Sequence, residues 1–157
     1  MTTTNPPIQL DDESIVWFTP ALNNTSGSPR DFCYVAGPMT GYPGFNYPAF
    51  DAARDALAAE GWNVISPTDL DRINIGIEFD KMEGTEDLRH LSTAFARQDI
   101  ASILVSDAVF VLPGWEMSTG ATNEARIATM LGLPVYTYEG RERVGLTAQF
   151  ASAGVAQ

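Results

Sequence analysis

Cysteine and histidine are nearly missing: the 157 residues hold one of each, Cys33 and His90. A disulfide within the chain is excluded, and neither a Cys-based metal site nor a His cluster can be assembled. Basic residues are also scarce. Nine Lys and Arg stand against twenty Asp and Glu, a formal net charge of −11, and no basic run occurs. That argues against sequence-independent binding to duplex DNA or RNA, which needs clustered cations to neutralise phosphates. No apolar stretch is long enough to cross a bilayer. The opening MTTTNPPIQLDDES has neither the basic start nor the apolar segment of a signal peptide, so a cytoplasmic location is expected. A P-loop and a GxGxxG are both lacking, which leaves ATP and dinucleotide readings unsupported.

What is present is a pattern of strands alternating with helices. The length fits one domain with one sizeable core. Residues 1–30 form a polar N-terminal extension, interrupted by Ile15-Val16-Trp17-Phe18, a short apolar patch suited to docking on the body or on another subunit. The body is expected over 31–140, and 141–157 read as a C-terminal tail with a small apolar patch near Phe150. Phe32 to Ala36 is an apolar run stopped by Gly37-Pro38, as in a buried parallel strand with Cys33 as a core residue. A helix is expected from an N-cap at Asn46, with Pro48 in its first turn, Phe50, Ala53 and Leu57 on one face, and Gly61 at its end. Trp62 to Ser66 reads as a second strand. Residues 68–86 have weak periodicity and read as a long loop or lid. From Asp87 a helix carries Leu88, Leu91 and Phe95, then Ile100 and Ile103. Ala108 to Leu112 is a third strand, Thr119 to Leu131 a helix, and Pro134 to Tyr138 a fourth strand. This alternation predicts an α/β fold of the Rossmann-like (flavodoxin-like) kind, an open parallel sheet flanked by helices on both faces. Ligands in such folds sit outside the carboxyl ends of the strands. Two loops fall there: Gly37-Pro38-Met39-Thr40-Gly41 and Pro113-Gly114-Trp115-Glu116.

The stretch LPGWEMSTGATNE, Leu112 to Glu124, carries most of the candidate chemistry. A hydroxyl followed by glycine at a helix start, Ser118-Thr119-Gly120, offers an N-cap, exposed N–H groups and the positive end of the helix dipole. That is a phosphate-sized anion site, although the same triplet also serves as a plain cap. Glu124 follows Ser118 by six residues, about 9 Å along a helix axis. A sugar phosphate laid along this helix start would bring its anomeric carbon to Glu124. A glutamate here is equally a favourable charge in an early helical turn. Asp99 is either a solvated helix residue, paired with Arg97 or Arg126, or a second carboxylate for the site. Asp107 reads as a turn residue. Tyr34 lies near the carboxyl end of the first strand. Gly37 and Gly41 let backbone approach a ligand closely, with Pro38 and Met39 between them. Trp115 either stacks on a base or covers the sheet end.

Taken in order, YVAGPMTG, NYPAF, the D-x7-D of Asp99 and Asp107, and LPGWEMSTGATNEARIATMLGLPVY resemble the nucleoside 2-deoxyribosyltransferase-like family. The likeness is greatest to its small bacterial and phage members and covers roughly residues 32–138. The resemblance implies that Glu124 attacks the anomeric carbon, that Asp99 contacts the base and helps it leave, and that Tyr34 lies near the sugar. It implies that the loop at Gly37 binds ligand. In family members acting on free nucleosides, the residue six before the glutamate is typically an aspartate that holds the 5′-hydroxyl. In the similar nucleoside 5′-monophosphate N-glycosidases it is a serine that holds phosphate, and here it is Ser118. The first loop, GPMTG, departs from the serine- and arginine-bearing loop of some phosphate-using relatives. The implied activity is hydrolysis of the N-glycosidic bond of a (2′-deoxy)nucleoside 5′-monophosphate. The alternatives are base exchange by a deoxyribosyltransferase and non-catalytic nucleotide binding. The implied partner is a small-molecule nucleotide or nucleoside, without metal, organic cofactor, nucleic acid or membrane. A homo-oligomer is implied as well.

Overall fold

The computed structural model describes residues 31–74, 79–84 and 86–145. The apolar patch at Ile15 to Phe18 and the tail around Phe150 lie outside them. Four strands, β1 (Phe32–Ala36), β2 (Asn63–Ile65), β3 (Ala108–Val111) and β4 (Val135–Thr137), form one sheet in the order β2-β1-β3-β4. Every pairing is parallel: Tyr34 lies opposite Ile65 on one side and Val109 on the other, and Phe110 lies opposite Tyr136. The helices are α1 (Tyr47–Ala59), α2 (Pro67–Asn74), α3 (Ser92–Leu104) and α4 (Thr119–Met130). No helix among the described residues is long and apolar enough to cross a membrane.

Alternation along the strands builds two cores. Tyr34, Ala36, Val109 and Val111 point to one face and pack with Ile103 of α3 and Ala121, Ala125 and Ala128 of α4. Cys33, Val35, Ala108, Phe110 and Leu112 point to the other and pack with Phe50, Ala53 and Leu57 of α1. The central strands β1 and β3 are therefore nearly continuous apolar runs, as a sheet covered on both faces requires. The alanine stripe of α4 lets its backbone come close to β1, which brings a residue of its second turn within reach of a strand side chain. Burial of Cys33 pushes its thiol up to about 12, so it stays a neutral core group.

Two expectations are corrected. Residues 68–86 are not one loop: they contain α2 and the short helix Phe79–Lys81, with residues 75–78 and 85 outside the description. Ser66-Pro67, with Asp69 in the first turn, is a readable helix start; the weak apolar periodicity further on obscured it. Asn46 occupies the N-cap position of α1 but makes no side-chain cap bond. Instead Gly44, Phe45 and Asn46 run consecutively through left-handed backbone, with φ of 57°, 49° and 63°. Such residues cost on the order of 1 kcal/mol each when not glycine. The bend turns Phe45 into a small aromatic core with Tyr47 and Phe79, and Asn46 Nδ2 donates to the Pro38 carbonyl at 2.9 Å.

The chain goes from β1 to β2 on one side and returns to β3 on the other, so a crevice opens at the carboxyl ends of β1 and β3. Gly37 is held there by packing: a Cβ at this position would lie 2.9 Å from the Leu112 Cβ. The loop after β1 is pinned from outside, Gly41 N–H donating to the Gly84 carbonyl at 2.8 Å and Gly44 N–H to that of Met82 at 2.7 Å.

Candidate active site

The crevice holds a cavity of about 1140 Å³. Its walls come from the loop after β1, from α2, from the segment 79–92, from α3 and from the start of α4. Pro38, Met39, Asp99, Ser118, Gly120 and Glu124 all line it. Residues separated by up to 86 positions in the chain are thus gathered at one sheet edge.

At one end lies the start of α4. Ser118 is its N-cap, extended at φ −97° and ψ 117°, and its Oγ accepts from the Ala121 N–H at 3.3 Å. The first-turn N–H groups of Thr119 and Gly120 have no intrahelical acceptor and lie on the cavity wall. Glycine at 120 keeps the approach open, since the nearest heavy atom to a Cβ there would be Ser118 Oγ at 3.9 Å. An anion fits such a helix start by hydrogen bonding and by the dipole together.

Glu124 lies deeper on the same helix. Its Oε1 accepts from the Tyr34 hydroxyl at 3.2 Å. Tyr34 is fully buried beneath it and does not itself line the cavity. Burial, then the neighbouring carboxylates Glu124 and Asp99, push the Tyr34 hydroxyl well above its ordinary value, so it remains a donor. Asp99 approaches from α3, and its Oδ1 is buried without a hydrogen-bond partner. Among the described residues that oxygen accepts from neither Arg97 nor Arg126. Burial raises Asp99 above the ordinary carboxylate range. Burial and the adjacent Asp99 raise Glu124 likewise. Two carboxyls this close cannot readily both ionise, so the pair gives up its two protons in separate steps.

Tertiary packing also brings in residues that the sequence reading did not single out. Asp71, on α2, is buried and lines the cavity. Its Oδ2 accepts from the Tyr47 hydroxyl at 2.9 Å and its Oδ1 from Gln98 Nε2 at 2.8 Å. Burial raises Asp71, while these two bonds pull it down. Arg89, Asn123 and Arg126 also reach the cavity wall; Arg89 pairs with Asp87 at 2.6 Å. Nothing in a single sequence marks Asp71, because its burial depends on where α2 packs.

Three of the expected site residues are elsewhere. Trp115 is 5% exposed and belongs to the core beneath the cavity with Tyr34 and Ala121, so it covers the sheet end and offers no face to a base. Gly37 packs on Leu112 and Gly41 binds Gly84; both shape the loop without lining the cavity. Asp107 accepts from the Phe32 N–H at 2.8 Å and ties the start of β1 to β3, as a turn residue would.

Residues 32–137 match the family model described as a domain of unknown function, DUF4406, and the chain belongs to that family. The match runs from the first residue of β1 to the last of β4, and so includes the whole sheet and the cavity. A comparison with curated proteins gives no match.

Proposed function

We propose that the protein hydrolyses the N-glycosidic bond of a nucleoside 5′-monophosphate, with 2′-deoxynucleotides as the class implied by the resemblance to the nucleoside 2-deoxyribosyltransferase-like family. The observation that carries this reading is the meeting of Glu124 and Asp99 beside the Tyr34 hydroxyl, in a cavity that ends on the start of α4. Displacement at an anomeric carbon needs a carboxylate beneath that carbon and a proton for the departing base. A pair holding one proton and one charge has both.

In the first step Glu124 Oε attacks C1′, and the electron pair of the glycosidic bond leaves on the base nitrogen. Asp99 supplies the proton, so the base departs neutral and Asp99 becomes the carboxylate. In the second step water attacks C1′ and displaces Glu124, giving its proton back to Asp99. The products are free base and sugar 5-phosphate. Tyr34 donates to Glu124 throughout and holds it in one orientation. The 5′-phosphate would sit on Ser118 Oγ and the Thr119 and Gly120 N–H groups, where an aspartate would repel it.

A homo-oligomer in the cytoplasm belongs to the same reading. Leu104 and Val105 at the end of α3, and Met130 and Leu131 at the end of α4, are 43–80% exposed and form apolar surface for an assembly to cover. Light scattering should then give a mass above 17.0 kDa. The test of the activity is chromatography of free base after incubation with nucleoside 5′-monophosphates and, separately, with the matching nucleosides. Release from the monophosphates alone is the expected result. No release from any of them, or release only from nucleosides, would overturn it.

A further inference from the structure

The end of the cavity away from Ser118 has the opposite character, and that bears on which base it takes. Its walls are aromatic. Phe79 meets Phe45 edge-on at 5.7 Å between centroids and Phe95 at 6.0 Å, with Tyr47 tilted against it at 5.7 Å. All four rings border the cavity. Among them stands the carboxylate of Asp71, 3% exposed, with one oxygen held by Tyr47 and the other by Gln98. A carboxylate accepts about four hydrogen bonds, so each of its oxygens keeps a lone pair after these two bonds. Clamped from both sides and seated in a buried wall, Asp71 cannot turn away to suit a ligand. Asp99 follows Gln98 in the chain and also lines the cavity.

A fixed pair of acceptors selects the group opposite. An exocyclic amino group donates to it, and a ring carbonyl in the same place meets negative charge with no proton between. We propose that Asp71 reads the base, and that the site selects bases bearing an exocyclic amino group over counterparts that lack it. The inference rests on the nucleotide reading of the cavity given above and deepens it. Two natural pairs isolate the feature: cytosine against uracil, where an amino group replaces a carbonyl, and guanine against hypoxanthine, which differ only by the 2-amino group. A well-placed hydrogen-bonded base contact discriminates by about 1–3 kcal/mol, roughly tenfold to a hundredfold in affinity.

The experiment measures binding apart from turnover. Glu124→Gln protein, which retains the cavity and lacks the nucleophile, is titrated calorimetrically with dCMP, dUMP, dGMP and dIMP. The expected result is at least tenfold tighter binding of dCMP than dUMP and of dGMP than dIMP. Asp71→Asn on the same background should level both ratios, because the amide turns a donor towards the base as readily as an acceptor. Equal binding within each pair, or tighter binding of the member without the amino group, overturns the proposal without any Asp71 variant, so a poorly folding variant does not protect it. Ratios that survive Asp71→Asn overturn the assignment to Asp71. Base release by the wild-type protein with no preference within the pairs leaves the hydrolase reading standing and sinks this one; a preference in binding without base release does the reverse.

Discussion

Helix α2 separates two kinds of carboxylate. Asp69 and Asp71 are two residues apart, hence about 200° apart around the helix, and they live in different electrostatic worlds. On the outer face, Arg72 grips Asp51 with both terminal nitrogens, at 2.9 and 2.8 Å, while Arg54 and Arg72 both reach Asp69. The hydrogen bonds from Arg72 hold Asp51 below its ordinary range. On the inner face, Asp71, Asp99 and Glu124 border one cavity, their hydrogen-bond partners are tyrosines, a glutamine or each other, and burial raises all three. The outer acids are matched with cations and serve the fold. Burial disfavours the ionised forms of the inner ones, which is what makes them candidates for chemistry.

The sharpest way to break this contrast is to remove the charge from Glu124. Glu124→Gln should lower base release by about 10³-fold or more, the scale on which enzymes lose rate with their nucleophile; chromatographic rates on saturating monophosphate would measure it. Asp99→Asn should cost about 10²–10⁴-fold, the usual contribution of a general acid, and should also remove one limb of the pH profile. In the wild-type protein that profile should be bell-shaped, with rate lost in acid when the pair takes up its second proton and in alkali when it releases its last. Because burial raises both groups, the acid limb lies above the ordinary carboxylate range.

A smaller effect concerns stability, and its sign opposes the effect on activity. A carboxyl raised in the fold favours the folded state in its neutral form. That contribution is complete below the unfolded value of about 4.3 and is lost as pH rises through the folded value. Glu124→Gln protein should therefore melt higher than wild type at pH 8, by on the order of 1 kcal/mol after allowance for partial exposure, or about 4 °C. The difference should vanish towards pH 4. Calorimetry at both pH values checks it, and a variant that melts lower at pH 8 would show that Glu124 is a structural group. The smallest effect belongs to the outer cluster. Asp51→Asn should cost up to about 1 kcal/mol at neutral pH and leave base release unchanged. Here the pH dependence is reversed: the pair stabilises above the unfolded value of about 3.9, and its contribution disappears as pH falls through the lowered folded value. Denaturant melts at pH 7 and pH 3 would separate the two clusters by sign alone.

The same contrast explains how much was legible in advance. Strand residues such as Val35 and Val109 declare themselves by local apolar runs, and Ser118, Gly120 and Glu124 by spacing along one helix. Trp115 did not, because an aromatic beside a ligand loop reads alike whether it faces the ligand or the core. Its place was settled by α4 packing on β1. Asp99 was open between a solvated helix face and the site, since a periodic pattern gives a face but not what lies opposite.

Local composition and periodicity were thus enough for the parallel sheet, the loops at its carboxyl edge and the helix start that carries Ser118 and Glu124, all of which depend on neighbours within a turn or a strand. The pairing of Tyr34 with Glu124, 90 positions apart, the orphaned oxygen of Asp99 and the clamped Asp71 depend on distance through space and on exclusion of water. Those come into being only when α2, α3 and α4 close around one cavity, because a carboxyl acquires its shifted protonation from burial and from its neighbours' charge, neither of which is written at its own position in the chain.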